Sequence, residues 1–337
     1  MLVVRPRQRL HRSAVLWHDA VRRPTNLQDS NAWFQVTTTA VMRARSSHST
    51  SMSSKSSIDL YVLGSGPSTS VPSIRCLVTN PNCPVCPEAH ANPNSRNRRG
   101  NPSLLVKHQG FHILIDCGKT FRESFLRCCV PSEIPPLVDA VVLTHSHADA
   151  CFGLDDPRDI QRRAPSSGLA VLPVHCSRQT GRDITTQFSY LFPDHTSTKL
   201  PSTVLWTSKL QQVHFNDTGV TSFAIQGSSL TFQALPVWHG ADYMAHLLDG
   251  PPIDVMFLDA LHVSQSHPTH MSLPEALQCL ERIQPRKAYL VGMGHSIDYS
   301  MHQAQLVQRR AACGIDVELA FDGLHIHVDE RATDASS

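Results

Sequence analysis

The stretch LTHSHADACFGLDD, residues 143–156, sets the tightest limit on what this chain can fold into. A run broken only by Asp139, from Val138 to Leu143, leads directly into His145, His147 and Asp149. A short, nearly all-apolar run reads as a strand buried on both faces, and therefore as the centre of a sheet. Alternate residues in an extended stretch point the same way, so His145 and His147 can reach one ion from one side. Neutral imidazoles suit zinc, iron or manganese, and the carboxylate one step on suits a second, harder ion. Two ions about 3.5–4 Å apart would clamp and activate a water for hydrolysis. The competing reading is that these groups merely cap the following helix.

The rest of the chain supplies the frame. Ile58–Leu63 read as a strand closed by the turn Gly64-Ser65-Gly66, and SLLVKHQGFHILIDCG as two strands around Gln109-Gly110. Further strands are expected at LAVLPVHC, SLTFQALPVW, IDVMFLDA and KAYLVGMG. SLPEALQCLERI reads as a helix with Ser272 and Glu275 as a capping box, and SMHQAQLVQRRAACG as a helix that stops at Gly314. VELAFDGLHIHV reads as a hairpin turning at Asp322-Gly323. Strands dominate, with helices interspersed and late, which fits a mixed α/β sandwich better than a doubly wound sheet.

Composition limits the partners. The 337 residues carry a net charge of only +2, so the total does not call for a nucleic-acid partner. No apolar run approaches the length of a membrane span. Cys128 and Cys129 are adjacent and the other cysteines scattered, which argues against a disulfide framework and for reduced thiols, some of them metal-bound. Residues 1–57 hold eight arginines, only Asp19 and Asp29 as acids, and a serine-rich end. That composition describes an organelle transit peptide, mitochondrial above all, with a disordered tail or a start at Met52 as the alternatives, and otherwise a cytoplasmic protein. The segment is left out of the expected domain, 58–328, as is the tail 329–337.

Cys76, Cys83 and Cys86 form Cys-x6-Cys-x2-Cys within a loop over residues 76–102 rich in Pro, Asn and Arg. Two cysteines two apart are a thiolate bite for tetrahedral zinc, and a third strengthens it. The fourth ligand must come from elsewhere, and His90 is the local candidate.

THSHADA resembles the His-x-His-x-Asp-His signature of the metallo-β-lactamase superfamily. LGSG after the first strand, LIDCG before the motif and LPVWHG after it fall in the same order. The resemblance implies an αββα sandwich with metals at the loop edge between two sheets, and it makes His239 a further metal ligand. It is closest to the phosphoribosyl cyclic phosphate phosphodiesterase branch, with ribonuclease Z more distant. That branch closes its cysteine-rich loop with a C-terminal histidine, which corresponds here to His295. Ribonuclease Z has a similar acid and histidine where this chain has Asp259 and His270, implying a pair that protonates a leaving oxygen. Three departures stand out. The last motif histidine is Ala150, another ligand histidine falls on Gly292, and the strand that carries a bridging aspartate is missing between His239 and IDVMFLDA. Cys151, Asp155, Asp156 and Asp259 are the candidates to compensate, and one firmly held ion is expected rather than two.

The expected function is a metal-dependent hydrolase of small or cyclic phosphodiesters, with structural Zn²⁺ at the cysteines and one or two Zn²⁺ or Mn²⁺ ions at the catalytic site. The alternatives are an acyl or thioester hydrolase of the same fold, or a zinc-stapled scaffold whose catalytic site has decayed. The sequence does not specify an oligomeric state.

Overall fold

The computed structural model describes residues 2–5, 37–44, 57–161, 170–192, 206–212, 221–237 and 253–329. Two seven-stranded sheets face each other. The first runs in the order β13 (Val317–Leu319), β12 (Lys287–Val291), β11 (Val255–Asp259), β1 (Leu2–Arg5), β2 (Thr37–Ala44), β10 (Leu230–Val237) and β9 (Thr221–Ala224). The second runs β14 (His325–Asp329), β3 (Ser57–Gly64), β4 (Ser103–His108), β5 (Phe111–Ile115), β6 (Ala140–Val142), β7 (Ala170–Cys176) and β8 (Trp206–Gln212).

Period-two alternation explains the layering. Leu60, Val106, Ile113, Ala140, Phe232, Phe257 and Tyr289 pack in the core between the sheets. Their neighbours Leu63, Leu105, Leu114 and Val141 face outward and meet α3 (Phe121–Cys128) and α5 (Arg178–Gln187) through Phe121, Phe125 and Ile184. On the far side Met256, Leu258, Ala288 and Leu290 meet α6 (Leu273–Ile283) and α7 (Tyr299–Cys313) through Leu277, Leu280 and Leu306. The result is the αββα sandwich expected from the motif. Among the described residues no helix is long and apolar enough to cross a membrane.

Local signals hold where they are strong. Gln109 and Gly110 both have positive φ and turn β4 into β5. Ser272 and Glu275 form the capping box of α6, and α7 ends at Gly314 in the left-handed conformation. The Cys-rich loop contains two short helices, α1 (Ile74–Thr79) and α2 (Cys86–Ala91).

Two expectations are corrected. VELAFDGLHIHV is not a hairpin, because β13 belongs to the first sheet and β14 to the second. Asp322 is the cause. Its buried carboxylate accepts from Ser65 N and Oγ (both 2.8 Å) and Gly100 N (2.7 Å) and pairs with Arg127, which carries the chain from one sheet to the other. The exclusion of residues 1–57 also does not extend to Leu2–Arg5 and Thr37–Ala44. β1 pairs with β11 and β2 with β10, and the two run parallel to each other, filling the place where the strand after His239 was missed. TTTAVMRA is rich in β-branched residues and suits a strand, although no core-like apolar period announces it.

Candidate metal centres and an acid–base pair

β6 delivers Thr144, His145 and His147 to the edge between the sheets, and α4 (Ala148–Cys151) starts at His147 as its N-cap. Donor atoms of His145, His147 and Asp149 all lie within 4.8 Å of one another, as a shared ion requires. His145 Nε2 stands 3.6 Å from Asp149 Oδ1, and Asp149 Oδ2 accepts from Ser68 Oγ at 2.7 Å. Asp116 accepts from Thr144 N (2.8 Å) and Thr144 Oγ1 (2.7 Å). The one hydroxyl proton of Thr144 is thereby used, so at 2.8 Å Thr144 Oγ1 can only accept from His145 Nδ1–H. His145 is held as the tautomer with its Nε2 lone pair turned toward Asp149, which is the arrangement a metal-ligating imidazole needs.

Electrostatics agree. Burial pushes the Asp116 carboxyl up to about 6, against the pull of His145 and the Thr144 bonds. Burial opposes charge on His145, yet the bond to Asp149 and the charges of Asp116 and Asp149 raise its pKa. Burial also opposes charge on Asp149, but His145 and Ser68 hold its carboxyl well below the usual range. The same negative charges that favour a proton on His145 would favour a cation bound beside it.

The candidate substitutes do not join this donor set. Ala150 is buried and offers no ligand atom. The Cys151 thiol has Ser146 O (3.1 Å) and Gln187 Oε1 (3.8 Å) as acceptors for its one proton. Asp155 binds Arg158 at 2.5 Å, and Asp156 lies 4.0 Å from Arg122. Asp259 is engaged by His270. His239 lies outside the described residues.

Cys76, Cys83, Cys86 and His295 form a second group whose donor atoms lie within 4.8 Å of one another. Cys83 Sγ is 3.8 Å from His295 Nδ1. The S···N edge of a zinc tetrahedron is about 3.6 Å, given bonds near 2.3 and 2.0–2.1 Å. Backbone N–H groups of Ser73 (3.3 Å) and Cys86 (3.4 Å) donate to the sulfurs of Cys86 and Cys83. Burial alone would raise the Cys83 thiol, but the Cys86 N–H and His295 bring it down to about 6. His90 is exposed at the end of α2 and is not part of this group.

Arg99, which the sequence did not single out, braces His295. Its buried guanidinium donates to Gly294 O (3.0 Å) and Ile297 O (2.8 Å), on either side of that histidine, and to Asn97 Oδ1 (3.1 Å). An arginine inside the polar run NSRNRRGN carries no sequence signal for such a role.

The acid–base pair sits at the end of β11. His270 Nδ1 is 3.2 Å from Asp259 Oδ2, which also accepts from Met271 N at 3.1 Å. The bond to Asp259 raises the His270 pKa against partial burial, and the charges of Asp259 and Asp149 add to it. His267 and His262 line up beside it, with ring centroids 5.1 Å (His267–His270) and 6.3 Å (His262–His267) apart.

A family model described as the beta-lactamase superfamily domain matches residues 112–293, more than half of the chain. The chain belongs to the metallo-β-lactamase superfamily. Within that superfamily it resembles a solved structure described as a new diphosphatase from the PhnP family, with 28% identity, 80% of this chain and 97% of that one covered, and a TM-score of 0.57. Zn²⁺-bound PqqB from Methylobacterium extorquens shares the metallo-β-lactamase fold at 16% identity, covering 80% of this chain and 99% of that one, with a TM-score of 0.54. The octanoyltransferase of Porphyromonas gingivalis (strain ATCC BAA-308 / W83) is 27% identical over 290 residues, which is 80% of this chain and 51% of that protein. The chain therefore spans about half the length of this curated relative.

Proposed function

We propose that this metallo-β-lactamase chain hydrolyses small or cyclic phosphodiesters with one catalytic ion held by His145, His147 and Asp149. The observation that carries the reading is that the chain holds both a cluster of metal-donor atoms and an Asp259–His270 couple suited to proton donation, with the imidazole within the field of Asp149. An ion there would supply Lewis acidity toward a phosphoryl oxygen and an attacking water. The remaining steps belong to the chain. Asp116 and Thr144 fix the His145 tautomer, and Ser68 holds Asp149. Asp259 accepts from His270 Nδ1–H and favours the imidazolium, whose Nε2 proton passes to the leaving oxygen. Cys76, Cys83, Cys86 and His295 would hold a structural zinc that pins the loop bearing them and leaves no open position for water. The diphosphatase resemblance supports P–O hydrolysis.

Thioester hydrolysis is the second reading, favoured by the relationship to the octanoyltransferase. The test is metal analysis of the purified chain, followed by assay of bis(p-nitrophenyl) phosphate, a cyclic ribose phosphate, a diphosphate diester and an acyl thioester with added Zn²⁺ or Mn²⁺. Phosphodiester turnover lost in His145→Ala and His270→Gln supports the proposal. Turnover of the thioester alone, or of nothing at full metal loading, overturns it.

A further inference from the structure

Gly292 directly follows β12 and has φ +72°. A Cβ placed on it would stand 2.1 Å from Asp259 Oδ1 and 3.3 Å from Asp259 Cγ, well inside contact distance. Asp259 closes β11 and pairs in register with Val291, which closes β12. Its carboxylate therefore leans across the end of the neighbouring strand and rests over the bare backbone of Gly292. With Oδ1 in that slot, Oδ2 turns to His270 Nδ1 and Met271 N.

We infer that Gly292 is a positioning residue, whose missing side chain seats the Asp259 carboxylate against His270. The slot cannot hold both that carboxylate and a side chain. The superfamily resemblance places a ligand histidine at this position, and no imidazole fits while Asp259 keeps its pose. Position 292 therefore serves either as a ligand or as the seat of the acid–base pair, and this chain has the second arrangement. The consequence for catalysis rests on the proposed role of His270 as proton donor, whereas the geometric claim stands without it.

The alternative is that Gly292 is needed only for its left-handed backbone. Gly314 separates the two. It has φ +74°, nearly the same, and a Cβ there would meet nothing within 4 Å. Alanine at either position carries the same kind of backbone strain, but only at 292 does it strike a carboxylate. Because the struck atom is the end of a short rotatable side chain, the carboxylate swings aside and the domain folds.

The experiment uses the zinc-loaded full chain with ¹³C-labelled histidine and follows the ring signal of His270, assigned by its loss in His270→Gln, through a pH titration. Gly292→Ala is expected to lower the His270 pKa toward the ordinary histidine value, as Asp259→Asn does, while Gly314→Ala leaves it unchanged. In an Asp259→Asn background, Gly292→Ala should add no further shift, since its effect runs through that carboxylate. A Gly292→Ala protein whose His270 titrates as in the wild type overturns the inference, and so does an equal shift in Gly314→Ala. If Gly292→Ala does not fold, adding Asp259→Ala must restore folding, and a double variant that stays unfolded also overturns it. No substrate enters this test, so the absence of phosphodiesterase activity would count against the proposed function and leave the positioning result intact.

Discussion

Thr144 Oγ1 lies 2.8 Å from His145 Nδ1 and spends its only proton on Asp116. A single hydroxyl thus fixes which nitrogen of His145 is offered to an ion. Thr144→Val keeps the shape and removes that acceptor. Loss of such a hydrogen-bonded support weakens metal binding about 10–100-fold, and competition titration with a zinc chelator should show that drop. Thr144→Ser should restore wild-type affinity. A valine variant with unchanged affinity would mean that packing alone orients the imidazole.

The cysteine group should behave as a structural staple. Cys83→Ser opens a closed four-ligand site, and zinc binding free energy at such sites is also folding free energy. The expected result is loss of one zinc equivalent and a fall in Tm on the order of 10 °C. His295→Ala should do the same, because His295 completes the donor group, and exposed His90→Ala should change neither reading. Metal analysis and thermal melts of the three variants check this. A reversal between the two histidines would refute the assigned fourth ligand.

His175 gives a stability signature in pH. It is buried at the end of β7, stacked on Phe223 with ring centroids 5.6 Å apart, and burial lowers its pKa to about 4. The folded value lies below the unfolded one, so between about pH 6.5 and 4 the unfolded chain binds the extra proton. This contribution to stability is present above pH 6.5 and is lost as the pH falls through that window. The loss is roughly 2–4 kcal/mol by pH 4, at 1.36 kcal/mol per unit. His175→Phe should flatten the acid-side slope of Tm against pH. An unaltered slope would assign the acid sensitivity to other groups.

What was legible in the sequence is what neighbours in the chain determine. The donor atoms of His145, His147 and Asp149 gather because these residues lie close together in the chain just past β6, and those of Cys76, Cys83 and Cys86 because of their close spacing. The capping box of α6 and the stop at Gly314 are likewise local. Arg99 was illegible because it binds carbonyls 195 and 198 residues further along the chain. Asp322-Gly323 has the composition of a hairpin turn. Its actual role depends on Ser65, 257 residues away, and on Gly100, 222 residues away. No periodicity encodes a buried carboxylate's distant partners. The Asp259–His270 pair was found by resemblance, but its dependence on Gly292 needed the geometry of two adjacent strand ends.

The amino-terminal strands yield the last prediction. β1 and β2 stand between β11 and β10, with Leu2 opposite Phe257 and Ala44 opposite Leu230. A chain that starts at Ser57 loses both, and β10 and β11 then each present an unpaired row of backbone N–H and C=O groups. Unprotected edges of that kind template association with other chains. The shortened protein should melt on the order of 10 °C lower and should aggregate by light scattering at concentrations where the full chain does not. The same geometry bears on the arginine-rich composition of residues 1–57, since a leader cleaved ahead of Ser57 cannot also supply strands to the mature sheet. Mass spectrometry of the protein from its native source should find residues 2–44 retained. A mature chain beginning near Ser57 that melts as the full chain does would show that these segments do not hold the sheet together.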